Sequence, residues 1–253
     1  LLNSDIEVSP GWLEPLINAM EVPGIGAVMP KILSFQHKTH FEYAGASGGF
    51  LDKYAYPFCR GRIFDELESD MGQYDNSVEI HWTTGACMLV QRETFNQLGG
   101  FDTDFFAHME EIDLCWRIRQ SGLKLLVIPK SKVYHVGGGT LSNESPHKLY
   151  LNFRNNLFLL YKNLPKGQLF STVLTRLLLD GLAAVKYLIS GKFSFMASIF
   201  KAHQSFFGQM SHLKKKRSAL IIQQTHKVEL YPRSIVLEFF LRAKKKFSDL
   251  DYK

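Results

Sequence analysis

The sequence has little cysteine and no recognisable export signal. Its 253 residues include three cysteines, Cys59, Cys87 and Cys115. Because their number is odd and their spacing matches neither a zinc ribbon nor a disulfide framework, we expect reduced thiols in a cytosolic protein. The first five residues have the character of a buried strand end, and no basic segment precedes an apolar one as it does in a signal peptide.

Internal repeats and low-complexity tracts are also absent, and the composition excludes a disordered chain. Apolar residues make up 45% of the sequence and charged residues 21%, as in globular proteins that bury a core. The aromatic residues include 20 phenylalanines. Side chains of this kind fill cores, line sugar sites or lie at lipid interfaces.

The net charge of +6 conceals an uneven distribution of charge along the chain. Residues 1–150 carry 12 lysines and arginines against 19 acidic residues, whereas residues 151–253 carry 18 against 5. An acidic segment suits a divalent cation, and a basic segment suits anionic lipid or nucleic acid. We therefore expect two segments with different partners.

Short apolar runs alternate with short helical patterns in the first half of the chain. Strands are predicted at 26–33, 85–90, 123–128 and 132–136, and helices at 10–22, 92–98 and 108–120. Residues 41–56 suit a hairpin or a long loop, and residues 57–78 look irregular. The alternation predicts an α/β fold with a mixed, largely parallel sheet. Ligands of such sheets bind beyond the carboxyl ends of the strands.

Helical periodicity dominates the second half of the chain. Helices are predicted at about 147–162, 168–190, 194–217 and 233–247. The second of these contains Arg176, Asp180 and Lys186, which is too much charge for a membrane-spanning helix. Lysine clusters lie beside apolar residues in this half, and that pattern predicts an amphipathic region on an anionic membrane surface. A helical bundle packed on the first segment is the alternative.

Two polar clusters lie at predicted strand ends. Asn3 and Asp5 stand at the first of them, where a carboxylate either holds a hard cation or caps a helix. His135 precedes the glycines at 137–139 and suits either a metal ligand or a structural side chain. Taken singly, each cluster is more often structural than functional.

A third cluster crowds the start of the helix predicted at 108–120. Its acids are Glu110, Glu111 and Asp113. Acids favour helix N-termini, and Glu110 and Asp113 are spaced to reach Arg117, so a structural charge network is one interpretation. Glu111 falls on another face, together with Cys115, and could serve there as a general base.

The order of these motifs resembles the family 2 glycosyltransferases. The resemblance rests on Asn3-Ser4-Asp5, then residues 82–89 (WTTGACML), then residues 99–106 (GGFDTDFF), the acidic helix, and His135 with its glycines. It runs from residue 1 to about residue 162 and is greatest to bacterial rhamnosyltransferase-like members that build surface polysaccharides. It implies the C-terminal portion of a GT-A fold over residues 1–146, followed by a basic helical tail over residues 147–253.

The resemblance also implies roles for individual residues. Asp5 and His135 match metal ligands for Mg²⁺ or Mn²⁺, and Glu111 matches the catalytic base. The residues expected to bind substrate are Asn3, Trp82, Thr84, Gly85, Glu110 and Asp113. Two of these positions depart from the family, since Asn3 and Glu111 each replace the more usual Asp. Arg154-Asn155 matches a recurring pair to which the sequence gives no role.

The implied activity is inverting transfer of a sugar from a nucleotide-sugar donor to a hydroxyl of a lipid-linked or polysaccharide acceptor. The implied location is the inner face of the plasma membrane, with the protein peripheral and cytoplasmic. In the family, the strands that bind the nucleotide base precede the metal motif at which this chain starts, so we expect the chain alone to be inactive. The alternative is a membrane-associated scaffold with a degenerate transferase domain. We expect no nucleic-acid partner, because the basic tail carries no binding motif.

Overall fold

A computed structural model describes residues 1–137, 145–221 and 226–252 of the chain. The strands are β1 (Ile6–Val8), β2 (Ile25–Ser34), β3 (Gly49–Leu51), β4 (Pro57–Cys59), β5 (Arg62–Ile63), β6 (Glu66–Leu67), β7 (Val78–Glu79), β8 (Leu89–Val90) and β9 (Lys124–His135). The helices are α1 (Glu14–Met20), α2 (Arg92–Gln97), α3 (Glu110–Gln120), α4 (Pro146–Asn163), α5 (Lys166–Ile189), α6 (Phe193–Gly208), α7 (Met210–Ile221) and α8 (Ile235–Phe240). Single 3₁₀ turns occur at Thr103–Phe105 and Phe247–Asp249.

The main sheet is mixed, as the sequence predicts. Its strand order is β1-β9-β2-β8, and β7 also pairs with β9. The central strands β2 and β9 run parallel, whereas β1, β7 and β8 pair antiparallel with their neighbours. The sheet is therefore less parallel than expected, because its parallel part is confined to the long central pair.

The strand β9 replaces the two strands predicted on either side of Pro129. Pro30 of β2 pairs with Ile128, and the next residue, Lys31, pairs with Lys132. Residues 129–131 therefore form a bulge in β9. A proline in a bulge donates no ladder hydrogen bond and interrupts none, so the strand continues to His135.

A second, four-stranded sheet has the order β3-β4-β5-β6. It forms in the region that the sequence predicts as hairpin, loop or irregular structure, because strands of two or three residues are too short to show an alternating pattern. Phe50 and Phe58 pair across β3 and β4 and are almost completely buried. Tyr231, from the C-terminal segment, contacts Phe58 in an edge-to-face arrangement.

The helices of the second half pack around α4, which contacts α5, α6 and α7. The helix predicted at 194–217 is divided at Gln209 into α6 and α7, and the last predicted helix shortens to α8. Residues from both sides of position 146 share one hydrophobic core, with Phe158 and Phe206 joining Phe105 and Trp116. The predicted boundary at residue 146 thus passes through a shared core.

Within the described ranges, no helix combines the length and the apolar character that a membrane span requires.

Candidate active site

The N-terminal segment, residues 1–5, runs between two groups of predicted site residues. One group lies around Gly85 and the other at His135. The amino group of Leu1 donates to Met88 O, and the amide of Asn3 donates to Ala86 O, each at 2.9 Å. Asp5 follows, and its carbonyl accepts from the amide of Val136 at 3.0 Å. Five residues therefore lead from the turn at residues 84–86 to the carboxyl end of β9.

Asp5 and His135 lie side by side at that strand end. Asp5 Oδ2 is 3.2 Å from His135 Nε2, and Glu42 Oε2 is 3.1 Å from His135 Nδ1. Burial lowers the pKa of His135, but the carboxylates of Glu42 and Asp5 outweigh this effect and hold the pKa above its usual value. The imidazole thus lies between two carboxylates.

This pair provides one oxygen and one nitrogen donor for a divalent cation. The ring nitrogen opposite Asp5 faces Glu42, an arrangement that fixes the orientation of a histidine ligand. The described part of the chain brings together no group of three or more metal-ligating side chains. Asp5 and His135 are thus a pair of side chains that could hold a cation only together with further ligands. Gly138 and Gly139, which follow His135 in the motif, lie outside the described residues.

Glu111 lies at the other end of the segment, in the first turn of α3. A Cβ placed on Gly85 would lie 3.8 Å from both Cβ and Cγ of Glu111, so the glycine turn passes directly over this side chain. Glu111 Oε2 and Glu110 Oε2 are buried and find no hydrogen-bond partner among the described residues. These are carboxylate oxygens that remain available to a ligand.

A carboxylate at a helix N-terminus is expected to have an ordinary pKa, but the pKa of Glu111 is raised. Burial raises it to about 8, and the negative charge of Glu110 adds to the rise. Backbone amides of the first turn lower the pKa, but their effect is smaller than that of desolvation. Burial also raises the pKa of Glu110.

Trp82 and Thr84 are buried and shape the turn that carries Gly85. The Trp82 indole donates to Phe50 O at 2.9 Å, and Thr84 Oγ1 accepts from the amide of Ala86 at 3.1 Å. Their relative exposures are 4% and 3%. They position the turn between Asn3 and Glu111.

Asp113, for which the sequence predicts a role in substrate binding, lies in the interior of the protein. It is fully buried, and its carboxylate is 2.9 Å from Arg117 Nε, from Lys162 Nζ and from Asn163 Nδ2. Of the two contacts predicted for Arg117, the one with Asp113 is present. The remaining donors of Arg117 bond to the carbonyl oxygens of Leu98 and Gly100.

Asn155 holds the loop that precedes α3, and so the structure gives the Arg-Asn pair a role. Its side-chain amide donates to the carbonyl oxygens of Phe105, Ala107 and His108, at 2.9, 2.8 and 2.7 Å. Asn155 is fully buried in α4. The loop at residues 102–109 is therefore fixed to α4 just before the acidic pair begins.

Arg154 completes this attachment. Its Nη2 donates to Asp104 O and Phe105 O at 3.0 Å, and its Nε donates to Asn155 Oδ1 at 2.9 Å. The loop contacts of this pair, like the contact of Glu42 with His135, are long-range and leave no local signal in the sequence.

The chain matches no protein-family model, but it has clear relatives. It is 39% identical over 137 residues to N-acetylglucosaminyl-diphospho-decaprenol L-rhamnosyltransferase of Mycobacterium tuberculosis, a match covering 53% of this chain and 45% of that protein. It is 30% identical over 135 residues to an O-antigen biosynthesis protein of Myxococcus xanthus, a match covering 53% of this chain and 10% of that protein. Several of its relatives are glycosyltransferases by name.

A longer match supports the same relationship. The low-salt glycan biosynthesis hexosyltransferase of Haloferax volcanii is 23% identical over 211 residues, which cover 80% of this chain and 64% of that enzyme. The chain therefore spans less than two thirds of the length of these relatives. The solved structure of GalNAc-T7 with UDP, GalNAc and Mn²⁺ is similar at a TM-score of 0.45 and 18% identity, covering 64% of this chain and 30% of that one.

Proposed function

We propose that this chain forms the acceptor and metal side of an inverting glycosyltransferase. Its substrates would be a nucleotide-sugar donor and a hydroxyl of a lipid-linked or polysaccharide acceptor. The observation that carries the proposal is the buried carboxylate of Glu111 beside Gly85, with one unpartnered oxygen among the described residues and a raised pKa. A base with these properties suits removal of a proton from a sugar hydroxyl.

The reaction is a single displacement at the anomeric carbon. Glu111 takes the proton from the acceptor hydroxyl while that oxygen bonds to the anomeric carbon on the face opposite the leaving group. The bond from the anomeric carbon to the phosphate oxygen breaks, and the nucleoside diphosphate leaves with the electron pair. Inversion follows from this geometry of attack.

Asp5 and His135 would hold a divalent cation, Mg²⁺ or Mn²⁺, at the diphosphate. Bound there, such an ion neutralises the negative charge that develops on the leaving group. Asn3, between Asp5 and the turn at Gly85, would contact the donor. Glu110 supplies the second unpartnered carboxylate oxygen of the described site, which suits a hydroxyl of the donor or the acceptor.

We also propose a peripheral position on the cytoplasmic face of an anionic membrane. Helix α5 exposes an apolar row, Phe170, Leu174, Leu178, Leu182 and Ile189, whose members are 47–81% exposed. Across α5 and α6, the four lysines are exposed, whereas Asp180, the one acidic residue of their sequence, is buried against Arg176. An exposed apolar row with lysines and no exposed acid is complementary to anionic lipid.

The decisive test is turnover by the complete gene product that contains this chain. A panel of nucleotide sugars is supplied with Mn²⁺ or Mg²⁺, and release of nucleoside diphosphate is followed. We expect metal-dependent turnover that falls by roughly 10²- to 10⁴-fold in Glu111→Gln, the range for loss of a general base. Glu93→Gln, an exposed position in α2, is the matched control and should retain full turnover.

Other outcomes would change the assignment. Turnover that survives Glu111→Gln would move the base to Glu110. A folded, metal-binding protein that turns over no donor would favour the scaffold in place of the enzyme.

A further inference from the structure

Phe106 is a large apolar side chain that the fold leaves outside the core. It is 79% exposed, whereas its neighbour Phe105 is fully buried. Single exposed apolar residues are common on protein surfaces, so exposure alone does not mark a site. Phe106 differs from them in its backbone and in its position, a few residues before Glu110 and Glu111.

The backbone at Phe106 forms a tight γ-turn. The amide of Ala107 donates to Phe105 O at 2.7 Å, which closes the turn around Phe106 with φ +62° and ψ −61°. This conformation is rare and strained for a residue with a Cβ. Glycine adopts such angles at lower cost, so a phenylalanine here indicates a use for its side chain.

Hydrogen bonds from α4 hold this turn, although the intrinsic backbone preference of phenylalanine disfavours it. Asn155 and Arg154 donate to carbonyl oxygens on both sides of Phe106, including that of Phe105 itself. His108, further along the loop, also has a positive φ, at 67°. Strained residues fixed by surrounding contacts cluster at ligand sites, and this one is fixed to α4 by Arg154 and Asn155.

Polar atoms without partners in the described part of the chain follow Phe106 within five residues of the sequence. Three buried atoms, His108 Nε2, Glu110 Oε2 and Glu111 Oε2, bond to no group within the described ranges. Buried polar atoms of this kind normally have hydrogen-bond partners. A ligand suited to this loop therefore carries hydroxyl groups and also an apolar face for the ring.

A pyranose ring has both features. Its hydroxyls can donate to and accept from the three polar atoms, and one of its faces presents C–H groups to the electron-rich face of a phenyl ring. We propose that Phe106 is the platform on which the acceptor sugar stacks beside Glu111. That the bound sugar is the acceptor rests on the proposed transferase function. Binding of a sugar at Phe106 can be tested without turnover.

The test is saturation-transfer NMR on the chain with millimolar methyl glycosides of common hexoses and N-acetylhexosamines. We expect transfer concentrated on the C–H protons of one sugar face, reduced at least about 10-fold in Phe106→Ala and retained in Phe106→Trp. Phe170→Ala removes an equally exposed ring from α5 and should leave the signal unchanged. Wild-type protein that binds no glycoside, or Phe106→Ala that binds as wild type, would overturn the proposal.

A second variant separates binding from folding. Phe106→Gly should raise the midpoint of thermal unfolding, because glycine relieves the strained turn, and should still abolish glycoside binding. A lowered midpoint would make Phe106 a structural residue and overturn the proposal. The proposal would also be overturned if Phe106→Gly lost binding to lipid vesicles but kept binding to glycosides. That result would assign the ring to a lipid surface.

The stacking site and the transferase function fail separately. If the complete protein shows no turnover but Phe106→Ala still loses glycoside binding, the stacking site stands without the enzyme. If turnover is present and Phe106→Ala leaves the acceptor KM unchanged, the stacking site alone is wrong.

Discussion

Two neighbouring carboxylates at the start of α3 influence each other's protonation. Burial raises the pKa of Glu111 to about 8, and Glu110 contributes through its charge. The base acts only when ionised, so we expect kcat/KM to rise with pH through about 8. Glu110→Gln removes the neighbouring charge and should shift this rise to lower pH. A carboxyl ¹³C titration of the chain measures the same shift without substrate, and an unchanged midpoint would contradict the coupling.

The sequence predicts some of the site residues and cannot reveal others. Motif order pairs Asp5 with His135, and the structure brings them together. Spacing predicts the contact of Asp113 with Arg117. It does not reveal that Lys162 and Asn163 also bind this buried carboxylate. Those partners come from α4, and contacts between distant segments leave no pattern in the local sequence.

At the scale of elements, α4 holds the loop that leads to α3. Asn155→Ala removes one amide that serves three carbonyl groups, so we expect a loss of roughly 1–3 kcal/mol in the free energy of unfolding. Hydrogen exchange should increase in residues 105–110, and kcat should fall while the KM of the donor changes little. Asn96→Ala, exposed in α2, is the control. Unchanged exchange in the loop would show that α4 does not position it.

The length of an element decides how well the sequence predicts it. Helices α3 and α4 begin and end within two residues of their predicted limits, because several turns of apolar periodicity define them. The strands β3 to β6 contain two or three residues each, too few for a pattern. Pro129 predicts a strand end, and only the pairing with β2 shows that a bulge accommodates it.

At the scale of the whole molecule, the exposed apolar row of α5 is the feature on which the proposed membrane position depends. We expect the chain to bind vesicles that contain anionic lipid more tightly than neutral vesicles, and to bind less well at high salt. Replacing Phe170, Leu178 and Ile189 with serine should reduce co-sedimentation with anionic vesicles about 10-fold or more. Met71→Ser removes an exposed apolar side chain elsewhere and is the control. If all variants bound anionic vesicles equally well, the proposed role of the α5 row in membrane binding would be wrong.

Because β1 pairs with β9, the main sheet can be completed only after β9 has been synthesised. Ile6 pairs with His135, and the long strand β2 also pairs with the distant strand β9. At about 5–20 residues per second, the ribosome needs roughly 6–25 seconds to make the residues between β1 and its partner. During that interval the apolar strand β2 has no parallel neighbour to cover it. We therefore expect early packing of α1 against β2 to cover part of this strand until β9 emerges.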